Sequence, residues 1–275
     1  MTISEIFSLA LKMGADADPR GPKGVKRYLK RMQKRYDELK ADDKKYFDKE
    51  KLTNPYADSR IHLGAGSSTK VERILAGVDA DEGEVLLADR LGAKKQRIDL
   101  LLGHHPVGNT LVDLHSVMDM LIEMFHDAGV PIHVAENLMN ERIREVGRGV
   151  HPSNFNQPVD MAKILGVNIL NVHTPCDNLV TQFLNNLIKK TKPETVGEIV
   201  KMLMVFFIAA YFHHEGRYVS TRRMAGIEVP GLRSIGPFVI MAALAVLPVI
   251  SKGEMIADII AVIGSIDIVM GELDR

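Results

Sequence analysis

Two short stretches of this chain concentrate side chains able to hold metal ions. "LLGHHPV" sets His104 and His105 side by side at the end of an apolar run that Pro106 closes, and "NVHTPCDN" leads from a second apolar run into His173, Cys176 and Asp177. Imidazole and carboxylate donors together suit zinc, iron, manganese or cobalt. On a continuing strand His104 and His105 would point to opposite faces of a sheet and could not share one small ligand. At a strand end, two diverging imidazoles could serve two neighbouring ions instead, and a carboxylate such as Asp177 could bridge them. Other readings of the same residues stay open. The paired histidines could be half-buried and bonded to backbone carbonyls, Asp177 or Asn178 could simply cap the next helix, and His173 allows metal, substrate or plain structure. Cys176, with no second cysteine, reads as a buried structural thiol rather than a ligand or nucleophile.

These residues need elements to position them. From about Val71 the chain alternates strand and helix patterns. "RILAGVD", "IDLLLG", "VPIHVAE" and "VNILNVH" read as strands. "EVLLADRLGA", the long "LVDLHSVMDMLIEMFHDAG" ended by Gly129, segments near 137–147 and 158–165, and "NLVTQFLNNLIKK" read as helices. Such alternation predicts an α/β fold of layered α/β/α units around a mainly parallel or mixed sheet covered on both faces. The carboxyl ends of parallel strands are where such sheets build their sites, and both histidine motifs fall at such ends. Before this unit, residues 1–70 read as an N-terminal helical segment, with Ile3, Ile6, Phe7, Ala10 and Leu11 on one helix and Val25, Leu29, Met32 and Tyr36 on a second, lysine- and arginine-rich one. The expected division is therefore 1–70 helical, 71–203 α/β and metal-binding, and 204–275 a distinct apolar segment. Its apolar runs are shorter than the ~20 residues a membrane helix needs, so they read as buried strands or core helices.

Composition narrows the partners. Lysine plus arginine (35) balances aspartate plus glutamate (35), so no global field draws nucleic acid or an anionic membrane. Tryptophan is absent and aromatics are 5%, leaving few platforms on which bases could stack. The basic stretch from Arg20 to Lys51 reads as the solvated face of a surface helix, with an anion-binding or nucleic-acid surface as the alternative. One cysteine excludes an intrachain disulfide framework, and the first residues lack the layout of a secretory signal, so a cytoplasmic location is expected. "VDADEGE", with Asp79, Asp81, Glu82 and Glu84, reads as a turn and helix start rather than a calcium loop. His62, His115, His126, His133 and His151 read as structural.

The two histidine motifs, some seventy residues apart, resemble those of the dinuclear-metal family of GTP cyclohydrolase I type 2 homologues, also called Nif-three-like (Ngg-one-interacting factor three) proteins. "KMGADADPRGPKGVK", "YFDKEKLTNPYADSRI", "GVDADEGEVLLADRLGA", "GVPIHVAENLMNERIREV" and "KPETVGEIVKML" extend the resemblance over roughly residues 1–203. It implies two divalent ions in a cleft, with His104 and His105 on the family's histidine-histidine-proline ligands and Asp177 on the acidic ligand of its second motif. His173 falls on that motif's histidine and is the best candidate for proton transfer. The resemblance further implies a homo-oligomer, commonly a hexamer, and hydrolysis of a small nucleotide-like or phosphorylated substrate. After Leu203 it stops. The family's glycine-histidine motif with an acidic residue four positions on is missing, and "YFHHEGR", carrying His213, His214 and Glu215, is the only late candidate for ligands. That gap leaves a non-enzymatic metal-handling or partner-binding scaffold as the alternative function.

Overall fold

Strands β1 (Arg60–Leu63), β2 (Ile74–Gly77), β3 (Leu100–Gly103) and β4 (Ile169–Asn171) form one sheet in the order β1-β4-β3-β2. The computed structural model describes residues 1–68 and 70–203. The expected apolar segment at 204–275, His213, His214 and Glu215 among it, lies outside the described residues. β2, β3 and β4 run parallel and in register, Ala76 opposite Leu102 and Leu102 opposite Leu170, while β1 is antiparallel to β4. The fold is α/β with a mixed sheet, as expected. Residues 1–70, expected to be helical, also contain β1, a four-residue edge strand whose "RIHL" is too short for alternation to declare itself.

Side-chain alternation along the strands builds a core on each face. Leu100, Leu102, Leu170 and Val172 pack with Ile3, Ile6, Phe7 and Ala10 of α1 (Ile3–Asp16) and with Cys176 of α8 (Thr174–Thr191). Leu101 and Ile169 pack on the other face with Val85 and Ala88 of α3 (Glu82–Ala93) and Val159 and Ala162 of α7 (Gln157–Leu165). Burying an aliphatic side chain completely contributes roughly 1.5–3 kcal/mol, so the apolar stripe of α1 is what fixes it to the sheet. A capping box between Thr2 and Glu5 starts that helix. Its far end passes so close to α8 that a Cβ at Gly14 would sit 2.5 Å from Pro175, which demands glycine there. Cys176 is buried in this core, as a structural thiol should be.

Two predicted elements change. "VPIHVAE" is not a strand but the start of α6 (Ile132–Val150). Its valines and isoleucine alternate, but burial recurs at Ala135, Met139 and Gly147, the helical period, while Ile132 and Val134 stay exposed. The long helix expected over 111–129 is two, α4 (Asn109–Val117) and α5 (Asp119–Asp127). They meet at Met118, where the Leu121 N–H bonds the Met118 carbonyl three residues back in a tighter turn. The basic segment forms α2 (Gly21–Glu38) and two 3-10 turns, with Arg27 and Arg31 both bonded to Glu123 of α5. "VDADEGE" does start a helix, capped by Asp81 with Glu84. No helix among the described residues is long and apolar enough to cross a membrane.

Candidate metal centre

β3 delivers the first histidine. Leu100, Leu102 and His104 share one side of the strand, and the strand pairing continues past Gly103, with the His104 and His105 N–H groups bonded to the carbonyls at the end of β2. His104 is therefore carried into the interior, with no exposed surface. A Cβ at Gly103 would sit 2.6 Å from the Ala80 side chain, so glycine lets the β2 to α3 connection close over this point. Inside, His104 Nδ1 lies 3.0 Å from the Val172 carbonyl oxygen. A carbonyl only accepts, so Nδ1 carries the proton and Nε2 is the nitrogen with the lone pair. Nε2 lies 3.6 Å from Asp177 Oδ1.

β4 and α8 deliver the other two. The strand ends at Asn171, and α8 starts at Thr174 with His173 as its N-cap residue. Asp177 lies in the first helical turn, its own N–H bonded to the His173 carbonyl, so it is not the cap considered from sequence. A carboxylate in that turn is favoured by the helix dipole and needs no capping role to be stable. Ligand atoms of His104, His173 and Asp177 all lie within 4.8 Å of one another. The His104 and His173 rings are 4.7 Å apart, centroid to centroid.

His173 is held by a carboxylate that sequence reasoning missed. Asp58, fully buried, accepts hydrogen bonds at Oδ2 from His173 Nδ1 (2.8 Å) and Thr174 Oγ1 (2.6 Å), while Ser59 Oγ accepts from the His173 N–H. Burial pushes the Asp58 carboxyl up, but the bond and charge of His173, with Thr174 and Ser59, outweigh it and hold it below its ordinary value. Asp58 thus stays ionised and fixes the proton of His173 on Nδ1, which leaves Nε2 as the donor nitrogen. Nothing in "YADSRI" announces this, because the partner is 115 residues away.

His105 lies at the rim. Its ring is 5.3 Å from that of His104 and 6.2 Å from that of His173, and its Nδ1 bonds Asp79 Oδ1 at 2.6 Å. It is outside the three-residue group. The two neighbouring histidines diverge as strand-end geometry suggested, one inward and one toward solvent, yet each has its Nδ1 hydrogen-bonded.

Two buried polar networks hold this frame. Asn171 Nδ2 bonds the Asp58 carbonyl, so its Oδ1 must be the atom that accepts from Thr110 and from His62 Nε2. Burial pushes the His62 imidazole down to about 4, its bond to Asn171 opposing only part of that, so it is neutral near pH 7. Below the first turn of α8, Asp18 takes a bidentate Arg20 and the Tyr56 hydroxyl, and Asn178 bonds that hydroxyl and the Gly14 carbonyl. His62 is structural, as expected; His115 bonds the Val112 carbonyl and stacks edge-on with His151.

The His104 and Asp177 donors are spaced for a first-row divalent ion. Bonds of roughly 2.0–2.2 Å to two donors keep those donors about 3–4 Å apart, which the His104 to Asp177 separation satisfies. Two imidazoles and a carboxylate, with both histidines oriented by acceptors behind them, are a usual composition for zinc, iron, manganese or cobalt.

Comparisons with known proteins gave matches of two kinds. The crystal structure of a NIF3 superfamily protein from Sphaerobacter thermophilus is similar to it, at 22% identity and a TM-score of 0.46. The match covers 54% of this chain and 54% of that one, so the chain spans about half that protein's length. None of the curated proteins matches. The family model described as respiratory-chain NADH dehydrogenase, 49 Kd subunit, matches residues 238–275. That match falls after Leu203, where the resemblance carried by the histidine motifs has already ended, and outside the described residues.

Proposed function

We propose that the α/β unit binds divalent metal through His104, His173 and Asp177 and hydrolyses a small nucleotide-like or phosphorylated substrate. The observation that carries this reading is the convergence of these three side chains from two adjacent strand ends and the first turn of α8. A bound ion would make a coordinated water acidic enough to yield hydroxide near neutral pH and would offset the charge that develops on attack. The residues do the rest. His104 and His173 present Nε2 in one tautomer because Val172 and Asp58 hold their Nδ1 protons, and Asp177 supplies the negative charge that favours a dication. The same bonds support His173 as a ligand over a proton-transfer role. His105, aimed by Asp79, is positioned to serve a second ion, as the Nif-three-like resemblance implies. Ile132, Val134 and Leu138 are exposed on α6, which supports a homo-oligomer assembled through apolar contacts, a hexamer on the same resemblance.

Metal analysis and a hydrolysis screen of the metal-loaded chain test the proposal. It predicts at least one ion per chain, and turnover of a nucleotide or phosphoester that Asp177→Ala abolishes. Less than one ion per chain, unchanged when His104 and His105 are both replaced, overturns it. The second reading, a metal-handling or partner-binding scaffold, is favoured by the different family model matched at 238–275, where further ligands would be expected. Stoichiometric metal with no turnover in the same screen selects it.

A further inference from the structure

The cleft beside the metal centre has two unlike walls. On one side stand His173, Thr174 and Asp177, with the buried Asp58 behind them. Facing them, Leu114, Val117, Met118, Leu121 and Met124 recur at helical spacing along α4 and α5, so the turn at Met118 keeps one apolar stripe running through both helices. These five side chains are partly buried rather than packed away, and with Met120 they leave a cleft of about 220 Å³. That space is large enough for a fused heterocycle. Thioether groups are polarisable and contact aromatic ring edges favourably, which suits them to a flat ring better than to a sugar. Charge decides the rest. Among the described residues no lysine or arginine lines the cleft, whereas Asp58 and Asp177 do. A phosphate lodged here, away from a metal ion, would face carboxylates with no cation to pair it.

We propose that this stripe is a binding subsite for an uncharged heteroaromatic ring, which places the substrate's reacting group toward His104, His173 and Asp177. The proposal rests on the metal-site reading and narrows it: of the two substrate classes offered above, the ring-bearing one fits the cleft, and a phosphate has no pocket of its own in it. The stripe acts by position and shape. The ring lies along α4 and α5, and the polar edge of the cleft receives whatever the ring carries.

The test uses the full chain with ¹³C-methyl-labelled methionine, the Met118 and Met124 signals being assigned by single Met→Leu variants. Purine is titrated as a ring without phosphate, ribose 5-phosphate as a phosphate without a ring, and 1-hexanol as an aliphatic chain, each with and without Co²⁺. Purine is expected to move both methyl signals by its ring current, to saturate, and to bind at least about tenfold tighter than either other probe. Equal shifts from ribose 5-phosphate or hexanol, or no saturable purine shift, overturn the proposal. Leu121→Asn should weaken purine binding with the remaining methionine signals in place; unchanged binding in that folded variant also counts against it. Cobalt binding is read separately from its visible absorption. Bound cobalt without a purine shift sinks the subsite alone, and a purine shift without bound cobalt sinks the metal reading alone.

Discussion

His104 and His105 are adjacent in the chain and opposite in circumstance. The first has no exposed surface and is bonded to the backbone of β4; the second is about a third exposed, and its carboxylate partner Asp79 is mostly in water. Buried polar groups are costly to leave unpaired, whereas exposed ion pairs contribute little, so the same side chain is a fixed part of the fold at one position and an adjustable group at the next. A site that combines the two has a rigid interior and a rim that can move.

Replacing the pair separately should expose that difference most strongly. His104→Ala removes a buried ring and orphans the Val172 carbonyl, and is expected to cost about 2–4 kcal/mol of stability as well as metal binding. His105→Ala should change stability by less than about 0.5 kcal/mol in the same denaturant melts. Equal losses at the two positions would erase the distinction.

Moving one layer out should preserve the ranking. Asp58→Asn keeps the shape but weakens the hold on His173, and a metal affinity roughly 10–100-fold lower is expected from calorimetric titration. Asp79→Asn, behind the exposed histidine, should lower affinity only a few-fold. A reversed order would mean that the rim, and not the interior, carries the metal.

Acid should loosen the interior frame before the rim. His62 is held neutral, its folded value of about 4 lying below the ordinary 6.5. The unfolded chain therefore binds the extra proton first, so the stabilisation is complete above pH 6.5 and is lost as pH falls toward 4. At about 1.4 kcal/mol per unit, the shift corresponds to at most about 3.5 kcal/mol. Melts of His62→Gln, whose amide can still donate to Asn171, should show a flatter acid limb over that range; an unchanged limb would assign the acid loss elsewhere.

The smallest effect belongs to the clamp under α8. Tyr56→Phe deletes the hydroxyl between Asp18 and Asn178 and should cost about 1–2 kcal/mol, with metal affinity nearly retained because Arg20 still holds Asp18. A large loss of metal binding would show that the clamp itself sets the position of Asp177.

What was legible in the sequence follows from range. β2, β3 and β4 declared themselves as short apolar runs ended by glycine or polar residues, and α1, α2, α3 and α7 by the spacing of their apolar residues, all local signals. The start of α6 misled because its alternating β-branched residues mimic a strand, while the buried positions that set its period come later in the segment. β1 was invisible because a four-residue edge strand takes its identity from its partner, β4. At the site, His104, His173 and Asp177 could be picked out because each motif sits at a strand end. Asp58 could not, because its role exists only once β1 and β4 bring residues 58 and 173 together. Local pattern supplies donors, and topology supplies the groups that orient them.

Metal titration of the full chain, followed by absorption spectroscopy of the cobalt form, tests the central claim most directly. The account predicts at least one Co²⁺ per chain with mixed nitrogen and oxygen ligation, lost in His104→Ala and in Asp177→Ala while His105→Ala retains at least one ion. Less than one ion per chain, or an ion whose spectrum is unmoved by replacing His104 and Asp177, would contradict it.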